Sequence, residues 1–254
     1  PDANSLTVKL IREAMALHPD ASHWLLCDTA FSTKLPPEAA YYAIPPAMRS
    51  GDVRRYGRSG LGHEWALKEL EKTSKAGAEK VITVGLGPQT TLAAFQNGRA
   101  MEVSSGFTLA EGMISMTSCG DIDPTLPLHL CASGMSLTDV NQALGEQGGL
   151  RAIAGPDLRF RDLLEPTNDS KVRLAQEMFT YQLVKYIGAL AATLGGVDAI
   201  VFFGAAVPAA EPFIHNLTER ISPVLPNVKV FRFGFNRSEA LANTAYPALQ
   251  GDKT

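Results

Sequence analysis

Three stretches of this sequence carry residue types whose spacing could do chemistry. Asp28 follows Trp24-Leu25-Leu26-Cys27, an apolar run that reads as a buried strand delivering a carboxylate at its carboxyl end. Such a group can be catalytic or metal-binding, or it can cap the next turn, since Thr29 and other polar residues follow. Gly85-Leu86-Gly87-Pro88-Gln89-Thr90 comes directly after a strand, where glycines let backbone N–H groups approach an anion closely. Pro88 removes one donor and Thr90 stands where a dinucleotide fingerprint has its third glycine, so a plain tight turn competes with the phosphate reading. Gly120-Asp121-Ile122-Asp123-Pro124 sets two carboxylates two residues apart between a glycine and a proline. That loop can hold magnesium through water or orient a phosphate through backbone groups; its alternative is an Asx turn.

Other chemistries find less. His129 and Cys131 read as sharing one face of a strand, with Cys119 upstream, which is poor zinc spacing, and no metal ligands are assigned. No G-x-S-x-G elbow occurs, since Gly57-Arg58-Ser59-Gly60 lacks its spacing. A nicotinamide enzyme would need an acidic ribose contact and a helix directly after the glycine turn, and neither is in place.

These residues must be positioned by elements that the periodicity predicts. Helical spacing runs from Leu6 to Leu17, from Leu61 to Ala76, from Leu137 to Leu144 behind the N-cap Ser136, and from Lys171 to Leu194. The last repeats Val172, Ala175, Met178, Phe179, Leu183, Ile187 and Leu190 at three- and four-residue steps before Gly195-Gly196. Strands are predicted over Lys80–Val84, Asp198–Phe203 and Asn227–Phe233. A hairpin joins Leu92–Phe95 to Ala100–Val103, and helices are predicted over Pro212–Ile221 and Ser238–Ala245. Strands alternating with helices are the grammar of a layered α/β sheet.

Composition bounds the reading. The 254 residues are 45% hydrophobic and 19% charged, enough for a sizeable core. A net charge of −3 provides no bulk attraction to nucleic acid or anionic membrane, and no apolar run is long enough to span a bilayer. Three cysteines are too few for a disulfide framework, so reduced thiols in a cytoplasm are expected. The chain opens on Pro1 and not on Met, which leads to the expectation of further sequence upstream.

Taken in order, these segments resemble the acetate kinase family. Cys27-Asp28-Thr29-Ala30-Phe31 and Leu35-Pro36-Pro37-Glu38-Ala39 are similar to its F-D-T-A-F-H and M-P-E-E-A. Arg54-Arg55-Tyr56-Gly57, with Gly60 and His63, is similar to R-R-Y-G-F-H-G-T-S-H, and Gly106-Phe107-Thr108-Leu109-Ala110-Glu111-Gly112 to G-F-T-P-L-E-G. Gly120 to Pro124 matches G-D-I-D-P outright, and Phe179 to Gly188 and Gly195 to Phe202 follow the family's long helix and strand.

The resemblance implies an actin-like, ribonuclease H-like α/β domain with a mixed sheet flanked by helices. It implies a single carboxy-terminal, nucleotide-side domain over residues 1–254, with 1–50 from the interdomain portion and the family's amino-terminal domain absent. Its implied activity converts ATP and a short-chain carboxylate to ADP and an acyl phosphate, with magnesium, in the cytoplasm. Pairing through this domain, as a homodimer or with a protein partner, is implied too. Carried over residue by residue, Asp28 and His63 are the catalytic positions, and Gly87, Gly120, Asp121 and Gly204 bind nucleotide or phosphate.

The same comparison exposes departures. Ser59 stands where the family has a histidine, Ser118 where it has a transition-state arginine, and Arg237, beside Asn236, where it has a metal-linked glutamate. Ala3-Asn4-Ser5 falls on the family's H-N-P. Val207 and Pro208 replace residues of a glycine-rich adenosine loop and are expected to crowd the nucleotide. The implied phosphotransferase is therefore expected to be impaired or inactive, with Arg58 and Arg237 as replacement positive charge. The alternative is a non-catalytic descendant with a binding or regulatory role.

Overall fold

The computed structural model describes residues 4–49, 53–74 and 77–249. Its centre is a mixed sheet of β1 (Lys80–Gly85), β2 (Thr91–Gln96), β3 (Arg99–Val103), β4 (Ala199–Phe203) and β5 (Lys229–Phe233). The spatial order is β3-β2-β1-β4-β5. The first three strands form an antiparallel meander, whereas β4 pairs parallel to β1 and β5 parallel to β4. The helices described are α1 (Ser5–Leu17), α2 (Pro37–Ala40), α3 (Gly60–Thr73), α4 (Thr125–Ala132), α5 (Leu137–Gly145), α6 (Gly149–Ala154), α7 (Ser170–Leu194), α8 (Glu211–Ile221) and α9 (Arg237–Leu249).

Side chains alternate across the sheet and so divide the core. Ile82 and Val84 of β1, with Ile200 and Phe202 of β4, join α7 and α8 in the larger core. Val81, Ala199, Val201 and Phe203 point the other way, onto Trp65, Ala66 and Leu70 of α3 and Ala240 of α9. Helix α7 forms because its apolar stripe is continuous and its first turn is capped. The Asp169 carboxylate accepts the N–H groups of Lys171 at 2.8 Å and Val172 at 3.1 Å. Ser136 caps α5 as expected, its hydroxyl accepting from the Asp139 N–H at 3.1 Å.

Most predicted elements stand within a few residues of their expected bounds. Residues 75 and 76, the end of one predicted helix, lie outside the described residues, as does Ala3. Two readings are corrected. Trp24-Leu25-Leu26-Cys27 is not a strand and is not buried: Trp24 is 56% and Leu25 66% exposed. A run of four apolar residues carries too little periodicity to separate a core strand from an exposed connection. His129 and Cys131 lie on the helix α4 and not on a strand, behind Asp123, whose carboxylate accepts the Thr125 N–H at 2.8 Å. Helix α1 is amphipathic as predicted but buries none of its residues. Among the described residues no helix is long and apolar enough to cross a membrane.

Candidate functional site

Parallel strands β1 and β4 end side by side, and the chain turns at Leu86-Gly87 and at Gly204-Ala205 leave a crevice beyond them. Crevices at the carboxyl ends of parallel strands are where open α/β sheets take ligands. Here the crevice measures about 420 Å³, within the range of small-molecule sites, and is lined by Asp28, Arg58, Ser59, Gly87, Gly204 and Arg237 among others.

Asp28 is placed by the amino end of α3. Its carboxylate accepts the Ser59 N–H at 2.8 Å and the Leu61 N–H at 3.4 Å, and its backbone carbonyl accepts the Gly60 N–H at 3.0 Å. The approach is close enough that a Cβ on Gly60 would stand 2.2 Å from the Asp28 carbonyl oxygen. Ser59 takes a left-handed backbone, φ 58°, which costs an L-residue about 1–2 kcal/mol and turns its N–H onto the carboxylate. Asp28 thus caps α3 from a distance, and not the turn that follows it in sequence, and it lines the crevice.

The two glycines differ in what the fold asks of them. Gly204 has φ +146°, and a Cβ there would meet the Leu86 carbonyl oxygen at 2.3 Å, so the junction of β4 with the turn after β1 requires glycine. A Cβ on Gly87 would meet nothing within 4 Å. Gly87 closes its turn through the Thr90 hydroxyl, which donates to the Gly87 carbonyl at 2.8 Å. The fold itself sets no steric demand for glycine at this position.

His63 does not line the crevice. It lies fully buried between the sheet and α3, its ring 5.7 Å from that of Phe31 and 5.1 Å from that of Phe203. The Thr83 hydroxyl donates to the Ala93 carbonyl at 3.3 Å, which leaves its oxygen to accept from His63 Nδ1 at 2.6 Å. Nε2 then accepts from the Thr91 hydroxyl at 3.1 Å. This network fits the neutral Nδ1–H tautomer. Burial pushes the imidazole pKa down to about 3. Thr91 lines the crevice, so His63 reaches the site only through a neighbour.

Gly120 and Asp121 stand apart from the other predicted positions. They line a second cavity of about 390 Å³ together with Glu111, Ile122, Leu137 and Val140. Leu109 lines the first crevice while Thr108 and Ala110 line the second, which puts this loop between them. One Asp121 oxygen accepts the Gly112 N–H at 2.7 Å and the other the Tyr186 hydroxyl. Burial, then the hydrogen bond to Asp121, holds the Tyr186 phenol well above its ordinary pKa. Ser118 is buried, and its hydroxyl donates to the Leu109 carbonyl at 3.3 Å. Val207, expected to crowd a nucleotide, instead packs into the core at 1% exposure; Ala205 lines the crevice in its stead. Phe235, also in the lining, carried no sequence signal, and Leu109 stood out only as part of the Gly106–Gly112 resemblance, because neither residue type nor spacing announces what a distant loop will wall.

The sequence profile of the Acetokinase family matches residues 1–217. The acetate kinase of Syntrophobacter fumaroxidans is 35% identical over 80% of this chain and 51% of its own length. That of Corynebacterium aurimucosum is 34% identical over 98% of this chain and 61% of its own. The chain thus spans about half to three fifths of the length of these curated relatives. A propionate kinase from Francisella tularensis superposes with a TM-score of 0.84 at 24% identity, covering 92% of this chain and 67% of that one. The mixed sheet flanked by helices is shared with that structure, as the actin-like expectation required.

Proposed function

This chain belongs to the acetokinase family, and on that premise we propose that its strand-end crevice is the phosphate-receiving part of a carboxylate kinase site, kept in shape but without turnover in this chain. The observation that carries the reading is the convergence of Asp28, Gly87 and Gly204 on one crevice at the carboxyl ends of β1 and β4. In this reading ATP lays its phosphates against the two glycine turns, and a short-chain carboxylate sits beside Asp28. His63 acts as a positioning residue: neutral and buried, it orients Thr91. Gly120 and Asp121, in the neighbouring cavity, brace the loop that carries Leu109 beside the phosphates.

Phosphoryl transfer is carried by positioning and by cationic donors aimed at the transferring group. Ser118 offers no cation, and its hydroxyl is committed to the Leu109 carbonyl. Loss of one preorganised donor costs on the order of a hundredfold or more in rate. Incubated with acetate and ATP in magnesium buffer, the chain is expected to form no acyl phosphate, trapped as the hydroxamate, above the blank. Acyl phosphate whose formation Asp28→Ala abolishes would overturn the loss of turnover.

A further inference from the structure

The charged groups of the crevice are Asp28, Arg58 and Arg237. Asp28 is already engaged, with an oxygen on each of two backbone N–H groups. Arg58 and Arg237 are not: among the described residues neither guanidinium has a hydrogen-bond or ion-pair partner. They come from separate elements, Arg58 from the half-buried turn before α3 and Arg237 from the first residue of α9. The start of α9 is itself fixed, since the Asn236 side chain accepts the Ser238 N–H at 3.0 Å.

A guanidinium offers a planar fork of donors that matches phosphate oxygens, and it remains charged at any working pH. Two of them in one concave site, against one compensated carboxylate, select an oligoanion. The same lining does not fit magnesium. That ion takes near-octahedral oxygen ligands and is anchored in phosphate sites by one or two carboxylates. Here the one carboxylate is held by backbone N–H groups, and two guanidiniums share its crevice and repel a divalent cation. Among the described residues no group of three or more His, Cys, Asp or Glu stands placed to hold a metal.

We propose that Arg58 and Arg237 clamp a di- or triphosphate directly, so that this chain binds the metal-free polyphosphate in preference to its magnesium complex. The clamp rests on the reading that this crevice receives nucleotide phosphates; what it adds is the identity of the neutralising groups and the removal of magnesium from the binding step.

The test is calorimetric titration of the full chain with sodium pyrophosphate and with ATP, each in EDTA and again in excess magnesium. Pyrophosphate is expected to bind in EDTA and to bind at least about fivefold more weakly in magnesium. Arg58→Gln and Arg237→Gln should each weaken it about tenfold, the loss of one charge-assisted contact. Arg173→Gln, on the exposed face of α7, should leave it unchanged, and melting temperatures report whether each variant is folded. Binding that requires magnesium, or that ignores both crevice substitutions, overturns the clamp and leaves the crevice reading standing. Absence of binding by pyrophosphate and ATP under both conditions overturns the clamp and the crevice reading together.

Discussion

Acidification from about pH 7 to about pH 4.5 is expected to cost this protein about 2–3 kcal/mol of stability through His63 alone. The sign follows from its surroundings. Burial lowers the folded-state pKa from 6.5 to about 3. Above 6.5 the ring is neutral folded and unfolded, and contributes no pH dependence. Between 6.5 and about 3 the unfolded chain takes a proton that the folded chain refuses, so stability falls as pH falls, by about 1.4 kcal/mol per unit. Protonation would also set a second ring N–H against the Thr91 hydroxyl, which would then have to give up its donation to Nε2. Denaturant melts of the chain and of His63→Asn at both pH values isolate this contribution. Asp123, Asp162 and Asp169, whose pKa values are held down by hydrogen bonds, also lose stability in acid, but equally in both proteins. His63→Asn is expected to be less stable at neutral pH and to show a shallower pH profile. Parallel profiles would place the charged imidazole in a more tolerant environment than the structure shows.

Phe179→Ala is expected to remove about 3–5 kcal/mol, a large share of the ~5–15 kcal/mol that holds a domain folded. Phe179 sits at the middle of α7, 1% exposed. Its ring lies 5.9 Å from both Phe160 and Phe213, edge-on to the first and stacked on the second. Truncation empties the contact between α7, the 3₁₀ turn at Phe160–Leu163 and α8 at once, and neighbours on three separate elements cannot all collapse inward. The melting temperature should fall by about 10 °C. Tyr181→Ala, two residues on at 67% exposure, should change stability by no more than about 0.5 kcal/mol. A Phe179→Ala loss no larger than that of Tyr181→Ala would contradict the packing of α7 as the main core helix.

The same helix shows what was legible in the sequence. Helix α7 could be read to within a residue because it is long, its stripe is continuous, and Asp169 and Gly195 punctuate its ends. Strands β1 and β4 were equally plain, since each is apolar on both faces and buried on both. The short helices α4 and α6 are too brief to establish a period, which is why the His129–Cys131 segment of α4 reads as a strand. At the site, Asp28 could be singled out, but not the α3 amides that hold it, because a contact across thirty residues leaves no local trace. Gly87 and Gly204 fall together only through the parallel pairing of β1 with β4. Motif order alone put Gly120 and Asp121 with them, and the 107–111 loop is what divides the two cavities. His63 could be singled out only through the family resemblance, and not as a residue sealed between Thr83 and Thr91.

Titrating ATP into the chain and into Gly87→Val asks whether the crevice at the ends of β1 and β4 receives nucleotide phosphates. A Cβ at Gly87 meets nothing within 4 Å beyond its chain neighbours, and Gly87 lines the crevice, so an added side chain has open space there. ATP is expected to bind the chain weakly, roughly millimolar, and not to bind Gly87→Val, whose melting temperature stays put. ATP binding that survives Gly87→Val, or is missing from both proteins, would contradict that role for the crevice.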